Sequence, residues 1–280
     1  MHTFELQPFL KEELSFSDAS WEFDLLGLPF DVTKYPYTVD GAYTNLAYLL
    51  SDQCRYAVKI VSIDREGKVS DQHSFSGSLL RQRQDVLAFV DAATAERSEN
   101  GKAFSAVLSE VLVNALLHRD YESPVDTLVR ITPDSVTVVS AGGIASGFDT
   151  DDVMNGISVF RNPALAEIFV ALGLATGCGV GLAAMKDTYL AAEEKPAFTA
   201  TEKSVKVTLP RKTGKSTASY VTDEERVIRF AKAHNAVTRQ DVEKEFSVSA
   251  STASRLLRRM AEEGLLLQIG SARSTKYRLP

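Results

Sequence analysis

The sequence predicts an α+β protein, a body of mixed strands and helices followed by a small basic module of three helices and a hairpin. Three observations point there. Basic charge is segregated at the C-terminal end, Thr-led capping signals punctuate that same end, and a long apolar helix with a regular polar stripe precedes two alternating strands in the middle. The expected divisions are an N-terminal α/β segment at 1–100, a central domain at 101–210, a linker at 211–221 and the basic module at 222–280.

The chain of 280 residues is long enough for two or three domains, and 44% hydrophobic with 24% charged residues is ordinary for a globular composition. It has no run of roughly eighteen apolar residues, which excludes an expected membrane-spanning helix. The start, MHTFELQPFLKEEL, is mixed and acidic, without the basic region and apolar core of a signal peptide. Cys54 and Cys178 stand apart with no metal or redox spacing, so the expected compartment is the cytoplasm. The net charge of −6 divides unevenly: residues 1–210 carry 17 Lys+Arg against 29 Asp+Glu, whereas 211–280 carry 14 against 8. A net +6 on the last quarter of an acidic chain points to a nucleic-acid contact at that end.

The linker is Pro210-Arg-Lys-Thr-Gly-Lys-Ser-Thr-Ala-Ser219, polar and rich in small residues. Thr222-Asp-Glu-Glu225 then reads as a capping box, and a first helix runs to about Asn235, burying Val227, Ile228 and Ala231. Thr238-Arg-Gln-Asp241 repeats the signal, with Val237 and Val242 placed as a hydrophobic staple, and opens a short second helix. After Ser247-Val-Ser249 a third helix runs through Glu263, where Ala253, Leu256, Leu257 and Met260 form one apolar stripe and Ser251, Arg255 and Arg258 lie opposite. Gly264 ends it. Leu265–Ile269 and Thr275–Leu279 read as strands joined by Gly270-Ser-Ala-Arg-Ser274.

Three helices and a basic hairpin make a winged helix, whose third helix enters the major groove of double-stranded DNA. The expected DNA contacts are Ser251, Thr252, Arg255, Arg258 and Arg259 on that helix. Arg273, Lys276 and Arg278 of the hairpin would meet phosphates. The phrase STASRLLRRMAEEGLL also resembles the recognition helix and its exit in winged-helix repressors.

In the centre, Phe104–Tyr121 is apolar nearly all round, so it should be buried, yet Glu110, Asn114 and His118 recur every four residues. Buried polar groups need partners, and three in line suggest a site. A carboxylate beside an amide can hold a water-ligated Mg²⁺ and orient a nucleophilic water. Leu128–Thr132 and Val136–Ser140 alternate as a hairpin, followed by Ala141-Gly-Gly-Ile-Ala-Ser-Gly147. Gly177, Gly179 and Gly181 precede a helix, where backbone amides can approach an anion.

Glu110-x-x-x-Asn114-Ala-x-x-His118-Arg-Asp-Tyr121, then Gly142-Gly143, then GISVFRNPALAEIFVALGL, then Gly177-x-Gly179-x-Gly181 occur in the order found in RecG-like transcriptional regulators. The chain resembles these over about residues 40–210, including Tyr43-Thr-Asn-Leu-Ala-Tyr-Leu-Leu-Ser-Asp52 and Phe75-Ser-Gly-Ser-Leu-Leu80. The resemblance implies a Bergerat-type α/β sandwich, the ATPase fold of gyrase, histidine kinases and MutL. It implies ATP with Mg²⁺ as cofactor, Glu110 as general base and Asn114 as Mg²⁺ ligand. It also implies Gly177, Gly179 and Gly181 over the triphosphate and Gly142 and Gly143 near the adenine, with His118 in the same cofactor site. One position departs: where the superfamily has an adenine-reading Asp, this chain has Ser140-Ala141, and a hydroxyl cannot reproduce that carboxylate.

Ala57–Ile63 reads as a strand and Ser78–Ala93 as a helix. Relatives often begin with a Schlafen-type AlbA domain, whose glycine-rich signature is not in 1–100, so a short member or a fragment is expected. Two functions follow from the sequence: a homodimeric DNA-binding regulator with a nucleotide-sensing or dimerising central domain, or an ATPase that docks on DNA. A helicase is not expected. Gly214-Lys215-Ser216 resembles the end of a P-loop, but residue 209, where its first glycine would stand, is Leu.

Overall fold

The structure, a computed structural model, describes residues 4–9, 13–30, 35, 37–94, 99–157, 159–175, 181–211, 227–228, 230–232, 236–246, 250–262, 264–270 and 275–279. Two compact units result: one of Met1–Val170 with Leu174–Ala218, the other of Ser219–Pro280 with Ala171–Gly173.

The first unit begins with a 3₁₀ turn, Phe4–Leu6, then helix α1 (Ser17–Leu25), a minimal hairpin of β1 (Thr38–Val39) and β2 (Ala42–Tyr43), and α2 (Asn45–Leu50). Strands β3 (Val58–Ile63) and β4 (Val69–Phe75) follow, then α3 (Leu79–Thr94) and α4 (Glu99–Leu117). Next come β5 (Thr127–Ile131), β6 (Ser135–Ala141), α5 (Thr150–Met154), α6 (Pro163–Ala171), α7 (Gly181–Thr188), β7 (Ala197–Ala200) and β8 (Ser204–Pro210).

One six-stranded mixed sheet, ordered β4-β3-β5-β6-β8-β7, organises this unit. Among the described strands of this sheet only β3 and β5 are parallel, because α3 and α4 carry the chain back over the sheet between them. Val58, Ile60, Val129, Ile131, Val136, Val138, Val207 and Leu209 are buried from alternate strand positions, while Lys59, Arg130 and Lys206 are exposed. Helix α4 packs on β6 and β8, with Leu108, Leu112 and Leu116 fully buried. Each such leucine contributes about 1.5–3 kcal/mol relative to exposure. The result is a helix layer on a sheet.

Three expectations are corrected here. The division at residue 100 does not exist: β3 and β4, from the N-terminal hundred residues, hydrogen-bond into the same sheet as β5–β8. A strand cannot form a separate segment when its backbone groups are paired inside the neighbouring sheet. Arg211, expected to start the linker, is pinned to the sheet unit: its guanidinium donates to the carbonyls of Thr94 (2.7 Å) and Pro133 (3.0 Å). The remainder of the linker lies outside the described residues. Finally, α4 stops at Leu117, so His118 sits just past the helix, its amide still bonded to the Asn114 carbonyl at 2.9 Å.

In the second unit, the described residues of 227–232 are helical and bury Val227 and Ala231. Helices α8 (Arg239–Phe246) and α9 (Ala250–Glu262) follow, then an antiparallel pair of β9 (Leu267–Ile269) and β10 (Lys276–Arg278). The Thr238–Asp241 capping box forms: the Asp241 amide donates to Thr238 Oγ1 (3.2 Å) and the Thr238 amide to Asp241 Oδ2 (2.8 Å). Val237 and Val242 are both buried, and Val237 bridges Tyr277 through two backbone hydrogen bonds of 2.7 and 2.8 Å. Ala253, Leu256, Leu257 and Met260 pack with these residues and Leu266 into one core. The Thr222–Glu225 cap, the Ser247–Ser249 turn and Arg273 lie outside the described residues.

Candidate functional site: a cavity at the end of helix α4

Six residues singled out in the sequence meet around one cavity of about 150 Å³ in the sheet unit: Glu110, Asn114 and His118, with Gly142, Gly143 and the departing Ser140. Helix α4 supplies one wall. Val138, Val205 and Val207 supply the sheet floor, and Phe148, Val159 and Phe160 come from the segment before α6. An engineered cavity of similar size in another protein holds benzene, so this one has room for an aromatic ring. Gly177 and Gly179 lie outside the described residues; Gly181 opens α7.

Glu110 and Asn114 are neighbours by helical spacing. Asn114 Nδ2 donates to Glu110 Oε1 at 3.1 Å, which orients the amide and leaves its Oδ1 as an acceptor. Burial holds the Glu110 carboxyl above the usual carboxylate range, and the bond from Asn114 only partly offsets it. The His118 ring leans on Phe160, with centroids 5.2 Å apart and planes 32° apart. Burial, and then the nearby Arg161 cation, push its pKa below that of an ordinary imidazole, so the ring is neutral at pH 7.

The end of α4 explains why these residues stay in place. A helix leaves its last carbonyls without amide partners, and here side chains from elsewhere in the fold take them over. Ser140 Oγ donates to the Ala115 carbonyl (2.7 Å) and the Tyr121 hydroxyl to that of Leu116 (2.9 Å). Asn162 Nδ2 donates to both Leu117 and Arg119 (2.9 Å each), and Arg161 Nε to His118 (3.2 Å). Arg161 also reaches the Gly143 carbonyl at 3.0 Å, which ties the glycine pair to the helix end. Asp120 is close by, its amide on the Ala141 carbonyl at 2.9 Å. Ser140, which in sequence is only a missing carboxylate, thus helps to close the helix end, and an ionised carboxylate in its place could not donate to Ala115.

The glycine pair is required by space. Gly142 has φ +95°, and a Cβ there would meet Asp120 Cβ at 2.9 Å. A Cβ on Gly143 would overlap the Thr201 carbonyl oxygen and lie 2.6 Å from that of Glu202, in the β7–β8 turn. Phe160, Arg161 and Asn162 belong to a motif whose sequence assigned them no individual roles. Asn162-Pro163 reads in sequence as the start of α6, yet the Asn162 side chain serves the end of α4. Glu5 gave no sequence signal. Its buried carboxylate accepts from the amides of Ala164 (2.8 Å) and Leu165 (3.0 Å), capping α6 from 159 residues away.

In the second unit the predicted DNA-contacting residues divide by exposure. Arg258 and Arg259 are exposed on α9, and Lys276 and Arg278 are exposed on β10. Thr252 and Arg255 are half-buried, and Ser251 lies in the first turn of the helix. Ser254, which the sequence pattern did not single out, is also exposed.

Comparison with known proteins adds a family likeness to this geometry. Residues 126–209, from just before β5 through most of β8, match the family described as "Putative ATP-dependent DNA helicase recG C-terminal". This supports an ATPase-like, RecG-related domain around the cavity; Glu110, Asn114 and His118 lie outside the matched span. The whole chain is similar in fold to the crystal structure of the DIP2311 protein from Corynebacterium diphtheriae. The TM-score is 0.64 at 15% identity, covering 100% of this chain and 70% of that one. No curated protein matches the chain. Among the described residues no helix is long and apolar enough to cross a membrane.

Proposed function

We propose that this chain is a cytoplasmic, homodimeric DNA-binding transcriptional regulator. Its C-terminal unit is a winged helix, and its sheet unit binds ATP with Mg²⁺ in the cavity beside α4. The observation that carries the reading is the two-sided α9: Ala253, Leu256, Leu257 and Met260 are buried, whereas Ser254, Arg258 and Arg259 are exposed beside a hairpin that exposes Lys276 and Arg278. A small residue next to paired arginines suits close approach to a groove, and the hairpin lysine and arginine suit phosphates. A dimer would match a two-fold operator.

Support for the nucleotide comes from the family likeness and from the residues of the cavity. Asn114 Oδ1 and the Glu110 carboxylate are oxygen donors of the kind Mg²⁺ takes, but among the described residues no group of three His, Cys, Asp or Glu could hold a metal. Mg²⁺ is commonly held by one or two protein oxygens together with phosphates. The fit is therefore to a Mg²⁺-nucleotide and not to the free ion. Bound there, the ion would neutralise phosphate charge, with Asn114 as its protein ligand.

The test uses the full chain and a duplex selected from a random pool, titrated by fluorescence anisotropy at several salt concentrations. Four exposed cations give an expected slope of log K against log salt of about −3.6 per protomer. Replacing Arg258 and Arg259 by alanine should bring it to about −1.8. A wild-type slope near zero, or one unchanged by the substitutions, refutes DNA binding by this face. One observation favours the second reading, an ATPase docked on DNA: the Glu110–Asn114 pair sits at the cavity wall as a general base and its neighbour would. Phosphate release that is lost in Glu110→Gln while DNA binding persists would select it.

A further inference from the structure

The two edges of the six-stranded sheet are not alike. One edge, β7, has four residues with Pro196 directly before it, and short, proline-led edges resist pairing. The other, β4, has seven, Val69-Ser-Asp-Gln-His-Ser-Phe75, with neither proline nor lysine. Val69 through Ser74 are all exposed, and among the described residues only β3 pairs with this strand. On β3 the Ala57 carbonyl faces β5, accepting from Thr127 at 3.1 Å, so by alternation Val58 and Ile60 face β4. Their partners Phe75 and His73 are therefore bonded inward, and the main-chain groups of Gln72 and Ser74 turn outward. The outward Gln72 amide is held only by the Asp71 carboxylate, at 2.8 Å, whose other oxygen lies 2.9 Å from His73 Nε2. Phe89 of α3 steadies the imidazole at the edge, with ring centroids 4.5 Å apart.

We infer that β4 is an interface with a second copy of this chain: two β4 strands pair antiparallel about a two-fold axis at Gln72, joining the two sheets edge to edge. The inference rests on the homodimer reading and names its surface. The strand is its own complement about that axis. Gln72 meets the partner's Gln72, and the two exchange main-chain hydrogen bonds. Asp71 falls opposite the partner's His73, at a position without main-chain bonds, where side chains come closest. An acceptor therefore meets a donor, and the two-fold repeats the pair. Ser70 falls opposite Ser74, and Val69 opposite Phe75, which sets an apolar pair at each end. An axis at Asp71 or at His73 would instead put like groups face to face. In the single chain Asp71 covers the outward Gln72 amide. In the pair the partner's carbonyl takes that amide and frees the carboxylate for the imidazole across the axis.

The experiment is sedimentation equilibrium of the full chain and three variants. Gln72→Pro removes an outward N–H without touching a bond to β3, a place where an edge strand tolerates proline. Thermal melts check that it is folded, and its dimer should be weaker by about thirtyfold, from two lost main-chain bonds. Asp71→Lys and His73→Asp, each alone, should weaken self-association by about tenfold, because unmatched or like groups then stand opposite. Mixed together, these two should associate as the wild type does, since each new group then meets its opposite charge; such recovery also requires both variants to be folded. A mixture that does not recover overturns this pairing. If the wild type is dimeric and every variant dimerises equally well, the interface lies elsewhere: the inference is overturned and the homodimer reading stands. A wild type that stays monomeric at its highest soluble concentration overturns the homodimer reading, and the inference with it.

Discussion

Replacing Asn162 by alanine tests the account of the α4 end most directly. The Asn162 side chain is buried, and its amide nitrogen donates to two carbonyls, Leu117 and Arg119, both at 2.9 Å. Alanine removes both bonds and leaves two carbonyl oxygens facing protein where water does not reach them. Each lost bond costs about 1–1.5 kcal/mol, so the pair amounts to about 2–3 kcal/mol. For a unit of about 215 residues this corresponds to a Tm lowered by about 4–12 °C. Differential scanning calorimetry of the full chain reads it. Asn162→Asp gives the sharper comparison: an ionised aspartate can only accept, so it would set a negative charge against the same two oxygens. It should destabilise at least as much as alanine. If both variants melt within about 1 °C of the wild type, the side chain does not hold this helix end, and the explanation of why His118 stays at the cavity fails with it.

Four further outcomes are expected. Glu5→Ala removes a buried carboxylate that accepts from two α6 amides, so chemical denaturation should show a loss of about 3 kcal/mol; an unchanged midpoint would mean that the N-terminal turn is not part of the folded unit. Glu110 titrates above its unfolded value, so folding disfavours its charge at neutral pH, and stability from this group rises as pH falls through the folded pKa. Glu110→Gln should therefore melt higher than the wild type at pH 7, with the gap closing toward pH 4; a lower melt at pH 7 would contradict a strained, buried carboxylate. For His118 the sign is opposite: its depressed pKa means that stability falls as pH drops through the unfolded value near 6.5, and His118→Gln should flatten that part of the pH profile, as melts across pH 5–8 would read. Gly143→Ala forces a Cβ into the Thr201 carbonyl oxygen, so in thermal melts and ligand titrations it should destabilise by about 1–3 kcal/mol and weaken binding at the cavity.

Local signals carried much of this protein. The stripe of Ala253, Leu256, Leu257 and Met260, the Thr238–Asp241 cap and the paired strands after Gly264 all reappear in the structure, because each depends on neighbours a few residues apart. The i, i+4 relation of Glu110 and Asn114 is equally local, and their hydrogen bond follows from helix geometry alone. The Glu110, Asn114 and His118 stripe before β6 and the Gly142-Gly143 pair after it are legible as separate motifs, but not as the lining of one cavity. What tertiary structure decided was the partner of each isolated polar group. In sequence Ser140 is a lost carboxylate and Asn162 the start of a helix; in the structure Ser140 donates to Ala115 and the Asn162 side chain closes a different helix. Glu5 and α6 are joined across 159 residues, and β3 pairs with β5 across an expected domain boundary. The reason is physical: backbone groups at a helix end or a strand edge must find partners, and no pattern within a window of about ten residues says which distant side chain will supply them.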